Sequence, residues 1–323
     1  MVNLAILAGG EGTRLRSVPP CPKCRVPLGD RPLLAHQLEL AWRHGVGEAW
    51  LLVGRGADEV AAYVEGSSHR DRVTLVREAR PLGTAGGFAA LGARWAETLL
   101  VLYGDVACNV DLGRFLAFHR ERGGAAPLLV HPNDHPFDSD LIEVDGHDRI
   151  TAIHRKPHPP GALRANLVNA CAYLVEPELR ALLPDGPADW AHDVFPEALA
   201  RGMALYAYRS SEYLKDLGTP ERLAQVRRDF ARGKIARGSY EQPRGAVFLD
   251  RDGTINREVD RCHRLEDFEL LPGAAEAIAR VNRSEHLAVV VTNQPVVACG
   301  FCTLEELAQI HRKMDTLLAE AGA

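Results

Sequence analysis

Apolar residues fall along this chain in short blocks, at 2–8, 49–53, 73–76 and 98–103. The blocks alternate with stretches such as 32–44 and 57–65, whose composition suits amphipathic helices. Runs this short, apolar on both faces, predict buried parallel strands covered by helices, so the fold class is α/β with a mixed, mainly parallel sheet of Rossmann-like type. Pro32 opens one helical stretch and Asp111 precedes another at 112–122, both favoured helix-start positions. The pattern is strand-rich over 125–175, helical at 189–200 and a strand again at 204–208. It turns polar and glycine-containing between 229 and 244. A second set of elements then opens, with strands at 246–249 and 287–291 and a helix at 304–320. The expected division is therefore a first domain over 1–232, a linker over 233–243 and a second, partial α/β domain over 244–323.

Ligands in such sheets bind beyond the carboxyl ends of the strands, which directs attention to the residues just past each run. After the first comes Gly9-Gly10-Glu11-Gly12-Thr13-Arg14-Leu15, with Pro22-Lys23 shortly downstream. Glycines let backbone N–H groups approach an anion. Leu15 stands where a dinucleotide fingerprint needs its third glycine, and no Gly-Lys-Ser/Thr is present for a Walker loop. Residues 81–87, Pro-Leu-Gly-Thr-Ala-Gly-Gly, form a second small-residue turn. Asp105 comes after the run 98–103, and Asp216 lies in Lys215-Asp216-Leu217-Gly218-Thr219-Pro220. Carboxylates near a triphosphate suit Mg2+. Asp250 and Asp252, just past strand 246–249, have the spacing of an aspartyl-phosphate enzyme, in which one carboxylate attacks phosphorus and the other shuttles a proton.

The stretch from Leu7 to Leu15, with Pro22-Lys23 and the segment 29–34, resembles the signature of sugar-1-phosphate nucleotidyltransferases. That resemblance implies that Leu7, Gly9, Gly10, Gly12 and Thr13, with Gly83, Thr84, Ala85 and Gly86, bind the nucleotide. It implies that Lys23 and Arg14 offset charge as pyrophosphate leaves, and that Asp105 and Asp216 hold Mg2+. Lys156, in His154-Arg155-Lys156-Pro157, and Asn169, in Asn169-Ala170-Cys171, are implied to meet the sugar phosphate. Cys24, Arg25 and Arg155 depart from the family's usual residues, Arg155 replacing a glutamate that contacts a sugar hydroxyl. The turn at 82–86 resembles that of purine-using members, which implies GTP or ATP.

From 244 onward the chain resembles the first half of a haloacid-dehalogenase phosphatase, most nearly of the D-glycero-D-manno-heptose 1,7-bisphosphatase group. The resemblance makes Asp250 the nucleophile and Asp252 the acid/base, both at a metal, with Thr292 and Asn293 in the phosphoryl-binding motif. The two halves together imply a bifunctional enzyme of NDP-heptose synthesis acting on heptose 1,7-bisphosphate and heptose 1-phosphate. A mannose-1-phosphate guanylyltransferase and a non-catalytic sugar-nucleotide-binding regulatory protein are the alternatives. The later lysine and acidic metal motifs of such phosphatases are not found, so a phosphatase half without activity is expected.

A net charge of -5 argues against a nucleic-acid partner. No apolar run approaches the roughly 18 residues of a membrane helix, so no membrane association and a cytoplasmic location are expected. The seven cysteines then read as reduced thiols. Cys21 and Cys24, like Cys299 and Cys302, have metal-site spacing, but the pairs fall in different expected domains. An oligomer is compatible with all of this.

Overall fold

The computed structural model describes residues 2–10 and 21–323. Two compact units emerge: Met1–Val130, Val144–Ala152 and Asn169–Glu241 form the first, and His131–Glu143, Ile153–Val168 and Gln242–Ala323 the second. This differs from the division expected at 233–243 in two respects. The supposed linker folds onto the first unit: after the helix Pro220–Ala231 comes a short helix, Lys234–Arg237. Beyond it the buried carboxylate of Glu212 accepts hydrogen bonds from the Tyr240 N–H at 2.8 Å and the Ser239 hydroxyl at 3.3 Å. Polar residues read as a linker are here the partners of a buried acid, which would be costly to leave unpaired. Second, residues 131–143 and 153–168 belong with the C-terminal segment rather than with the first domain.

In the first unit the strand Asn3–Leu7 is central, flanked in parallel by Ala49–Val53 and Leu99–Tyr103, with Ile6 opposite Leu51 and Leu102. Val73–Arg77 extends the parallel set beyond Ala49–Val53. On the other side Val168–Val175 runs antiparallel to Leu99–Tyr103, Tyr173 opposite Val101, giving the mixed sheet expected. Leu4, Ala5, Ile6 and the whole of Ala49–Val53 are buried, as two-sided cover by helices requires. The helix Leu33–Arg43 turns Leu34, Leu38 and Ala41 into the same core.

The second unit holds a parallel pair, Ala246–Leu249 and Leu287–Val290, with the helix Ala274–Arg283 between them in sequence. One face packs on Ile255, Phe268, Ile278, Ile310 and Met314, the last two from the helix Leu304–Glu320. Other apolar side chains here remain open, with Phe248 of the first strand 70% and Val291, just past the second, 58% exposed. A two-stranded parallel sheet has too little cover to bury both its faces.

Candidate active site

Three segments meet beyond the carboxyl end of Leu99–Tyr103. The strand Val106–Asn109 pairs antiparallel with Tyr213–Asp216, setting Asp216 opposite Val106, and the Leu217 N–H donates to the Asp105 carbonyl at 2.8 Å. A small apolar core locks this arrangement: Val26, Leu28 and Leu33 pack with Ala107, Leu217, Leu223 and Val226. Each functional side chain is thus close in sequence to residues fixed in that core. The Lys23 ammonium donates to Asp105 at 2.6 Å, and the Arg222 guanidinium reaches both oxygens of Asp216 at 3.0 and 3.1 Å. Thr219 caps the helix that carries Arg222. Lys23 and Asp105 keep 19% and 26% side-chain exposure, open enough to exchange partners with an anionic ligand. The two carboxylates offer hard oxygen donors to a divalent cation, which commonly takes one or two protein carboxylates and completes its shell with water and phosphate.

The turn at 83–87 is built by close contact. Gly83 has φ +74°, and a side chain there would collide with the Ala188 carbonyl. Ala85 N–H donates to that carbonyl at 2.8 Å and Ala188 N–H returns to Leu82 at 2.9 Å. The Thr84 hydroxyl donates to Asp189 at 2.7 Å and accepts from the Trp190 N–H at 2.9 Å. Thr84, expected at the nucleotide, thus spends its hydroxyl on holding this loop. Behind it Phe88 meets Trp95 and Trp190 edge to face, Tyr173 meets Phe195 likewise, and a tilted Trp190–Phe195 contact joins the two groups. The turn runs on into a 3-10 stretch, Gly86–Arg94, interrupted at Gly92.

Sequence reading missed Glu78. It comes directly after the strand Val73–Arg77, and its carboxylate lies between the two glycine turns. One oxygen is 3.3 Å from where a Cβ on Gly9 would stand, and the other occupies the place of a Cβ on Gly87. Burial pushes its carboxyl above the usual range, against the opposing hydrogen bond from Leu82. Leu7, Gly9 and Gly10 lie at the end of the central strand, with Gly9 against Glu78. Gly12, Thr13 and Arg14 lie outside the described residues.

Asn169 accepts the Cys171 N–H at 3.1 Å, closing a tight turn in which Cys171 has φ +57°. A residue other than glycine is strained there, so Cys171 keeps the backbone bend at a cost. In the second unit Lys156 donates to the carbonyl and carboxylate of Asp138 at 2.8 and 3.1 Å, after which comes a cis Lys156–Pro157 bond. Asn169 and Lys156 belong to different units.

The aspartate pair of the second unit sits at the carboxyl ends of its two strands, where Val291 N–H bonds the Leu249 carbonyl. Gln294 links the motifs, donating to Asp252 at 2.7 Å and to Thr292 at 2.8 Å. Asn293 is exposed. The buried Arg251 guanidinium also grips Asp252 through both its oxygens at 2.9 Å, and Asn256 adds a further donor group. Burial pushes the Asp252 carboxyl up, but the hydrogen bonds from Asn256, Gln294 and Arg251 outweigh it and hold it below the usual range. Asp250 accepts the Arg251 N–H at 2.6 Å.

Residues 4–233 match the family model described as Nucleotidyl transferase. A mannose-1-phosphate guanylyltransferase of Mycobacterium tuberculosis is 32% identical over 238 residues, covering 72% of this chain and 65% of the relative. A putative mannose-1-phosphate guanyltransferase of Sulfolobus acidocaldarius is 27% identical, over 80% of this chain and 69% of its own length. The chain thus spans about two thirds of these relatives, 65% in the first case. Among solved structures, HddC from Yersinia pseudotuberculosis complexed with GMP-PN aligns with a TM-score of 0.62 and 23% identity, over 71% of this chain and all of that one. A putative glucose-1-phosphate thymidylyltransferase from Bacillus anthracis gives 0.63 and 19%, over 71% and 94%. These last two are likenesses of fold. No helix among the described residues is long and apolar enough to cross a membrane. The matched span contains both glycine turns, Lys23, Asp105 and Asp216, and the chain belongs to the nucleotidyl transferase family.

Proposed function

We propose that this protein is a sugar-1-phosphate guanylyltransferase whose sugar has the manno configuration, with D-glycero-D-manno-heptose 1-phosphate preferred and mannose 1-phosphate as the second reading. The observation that carries the reaction class is the Lys23–Asp105 ion pair beyond the strand that ends at Tyr103, with Asp216 brought to the same end by the pairing of Tyr213–Asp216 with Val106–Asn109. A phosphate oxygen of the sugar phosphate attacks the α-phosphorus of GTP, the bond from that phosphorus to the bridging oxygen breaks, and pyrophosphate leaves. Mg2+ held by Asp105 and Asp216 would supply charge stabilisation at the phosphates. Lys23 then turns from Asp105 to the departing pyrophosphate, while Arg14 and the turn at Gly9, Gly10, Gly12 and Thr13 hold the triphosphate. Lys156 and Asn169 are assigned to the sugar phosphate.

Guanine is favoured by Glu78. Guanine presents two adjacent donors, N1–H and the 2-amino group, and a carboxylate can accept both; adenine places an acceptor at N1. Relatives named as mannose-1-phosphate guanylyltransferases support the same base and the mannose alternative. The heptose preference rests on Asp250–Asn256 with Thr292 and Asn293, whose resemblance to heptose 1,7-bisphosphatases would pair the enzyme with the reaction that makes its substrate. Its phosphatase step is proposed to be silent in this chain, since Asp252 is saturated by Arg251, Asn256 and Gln294.

Pyrophosphate release measured across heptose, mannose and glucose 1-phosphates with GTP and ATP tests this reading. Turnover with GTP and a manno-configured sugar is expected, with no phosphate released from heptose 1,7-bisphosphate. No turnover with any pair would favour a binding protein instead. Within the same assay Lys23→Ala should lower kcat by about 10²-fold, because it acts on charge that grows in the transition state, while leaving sugar-phosphate binding nearly unchanged. An unchanged kcat would remove Lys23 from the mechanism.

A further inference from the structure

The long helix Leu304–Glu320 does more in the second unit than cover the two-stranded sheet. Near its carboxyl end two consecutive side chains bind the backbone of residues 164–166. The Asp315 carboxylate accepts the Asn166 N–H at 3.1 Å, and the Thr316 oxygen accepts the Arg164 N–H at 3.2 Å. The Thr316 hydroxyl lies 3.4 Å from the Arg164 carbonyl and 2.8 Å from that of Arg312. Thr316 is buried, so the Arg164 N–H has little water to turn to if that oxygen is lost.

The bound residues belong to the segment whose beginning carries Lys156 and whose end leads to Asn169. Its first limb is fixed by its own unit: Lys156 N–H meets Asp140 at 3.2 Å, and the His158 ring meets the Ser139 carbonyl at 2.8 Å. Asn166 then joins its outgoing limb to Asn133, accepting that residue's N–H at 3.1 Å and donating to its carbonyl at 2.8 Å. Immediately after, Leu167 offers its carbonyl to the Ile142 N–H at 2.8 Å, and Val168 pairs with Leu141. Between His158 and Asn166 the segment has its own turn at Pro159–Ala162. The side chains that then meet its backbone, at 164 and 166, come from the C-terminal helix.

We propose that Asp315 and Thr316 are positioning residues for sugar-phosphate recognition, acting through the backbone of residues 164–166 to fix the segment that begins at Lys156. The proposal rests on the assignment of Lys156 to the sugar phosphate made above. A hydrogen bond lost here loosens a segment that carries none of the nucleotide turns, so its effect should fall on one substrate.

The test is steady-state kinetics of the full chain with GTP and mannose 1-phosphate, varying each in turn, on Asp315→Ala, Asp315→Asn, Thr316→Val and Lys156→Ala. Asp315→Ala and Thr316→Val should each raise KM for the sugar phosphate about fivefold to tenfold, with KM for GTP near that of the parent, and Thr316→Val, which leaves the Arg164 N–H without its partner, should also melt lower. Asp315→Asn keeps an oxygen that can accept the Asn166 N–H and should restore most of the loss. A merely structural role would disturb both substrates together, with no selective rescue by Asn. Unchanged sugar KM in Asp315→Ala and Thr316→Val, beside a raised one in Lys156→Ala, overturns the positioning role and leaves the sugar assignment standing. An unchanged sugar KM in Lys156→Ala overturns that assignment and the proposal built on it.

Discussion

Asp105→Asn is expected to lower turnover by about 10²- to 10³-fold and to leave the fold intact, and Asp216→Asn should do the same. What ties Asp105 into the structure is its backbone, through the carbonyl that accepts the Leu217 N–H, and the apolar contacts of Ala107, Leu217 and Val226. An isosteric amide disturbs neither. What changes is charge: Asp105 balances the Lys23 ammonium, and Asp216 balances Arg222 across two hydrogen bonds. An amide retains one oxygen to accept those donors but cannot neutralise a divalent cation. Each variant should therefore also demand more Mg2+ to reach its own maximal rate, so pyrophosphate release is measured across a Mg2+ titration beside a thermal melt. Near-normal turnover in both variants, with parental melting, would dismiss this pair as the metal site.

The strands were legible because their cover is two-sided: Leu4 to Ile6 and Ala49 to Val53 are apolar at every position and are buried at every position. The site was legible only where a residue stood in a resembling motif, Asp105 just past a strand end and Lys23 downstream of the first glycine turn. Their partnership spans 82 positions and depends on the packing of Val26 and Leu28 against Leu217 and Val226, which no local pattern records. Glu78 met the same strand-end criterion that selected Asp105. Lying between Arg77 and Arg80 in a charged stretch, it had the look of a solvated acid. The stretch 229–244 misled for the converse reason, since its polar groups are satisfied by the buried Glu212 rather than by water. The unit division was illegible as well, because hydrogen bonds such as Asn166 to Asp315 join residues 149 positions apart.

Glu78→Gln should separate the two purines, lowering kcat/KM for GTP by about 10²-fold while changing that for ATP by no more than about threefold. The carboxylate stands against Gly9 and the turn at Gly87, so a base held by those turns meets two acceptor oxygens. Replacing one oxygen by an amide leaves one guanine donor facing another donor in a half-buried site, where an unpaired group costs most. The effect has a matching pH dependence, and burial sets its sign. Because burial raises the Glu78 carboxyl above its ordinary value, the folded protein holds that proton more tightly than the unfolded chain does; that contribution to stability is present at low pH and is lost as pH rises through the raised value. Guanine recognition needs the carboxylate and runs the opposite way. KM for GTP should rise as pH falls through the raised Glu78 value, KM for ATP should not track it, and Glu78→Gln should abolish the difference. Parallel profiles for the two nucleotides in the parent enzyme, or equal losses for both in the variant, would show that the base is read elsewhere.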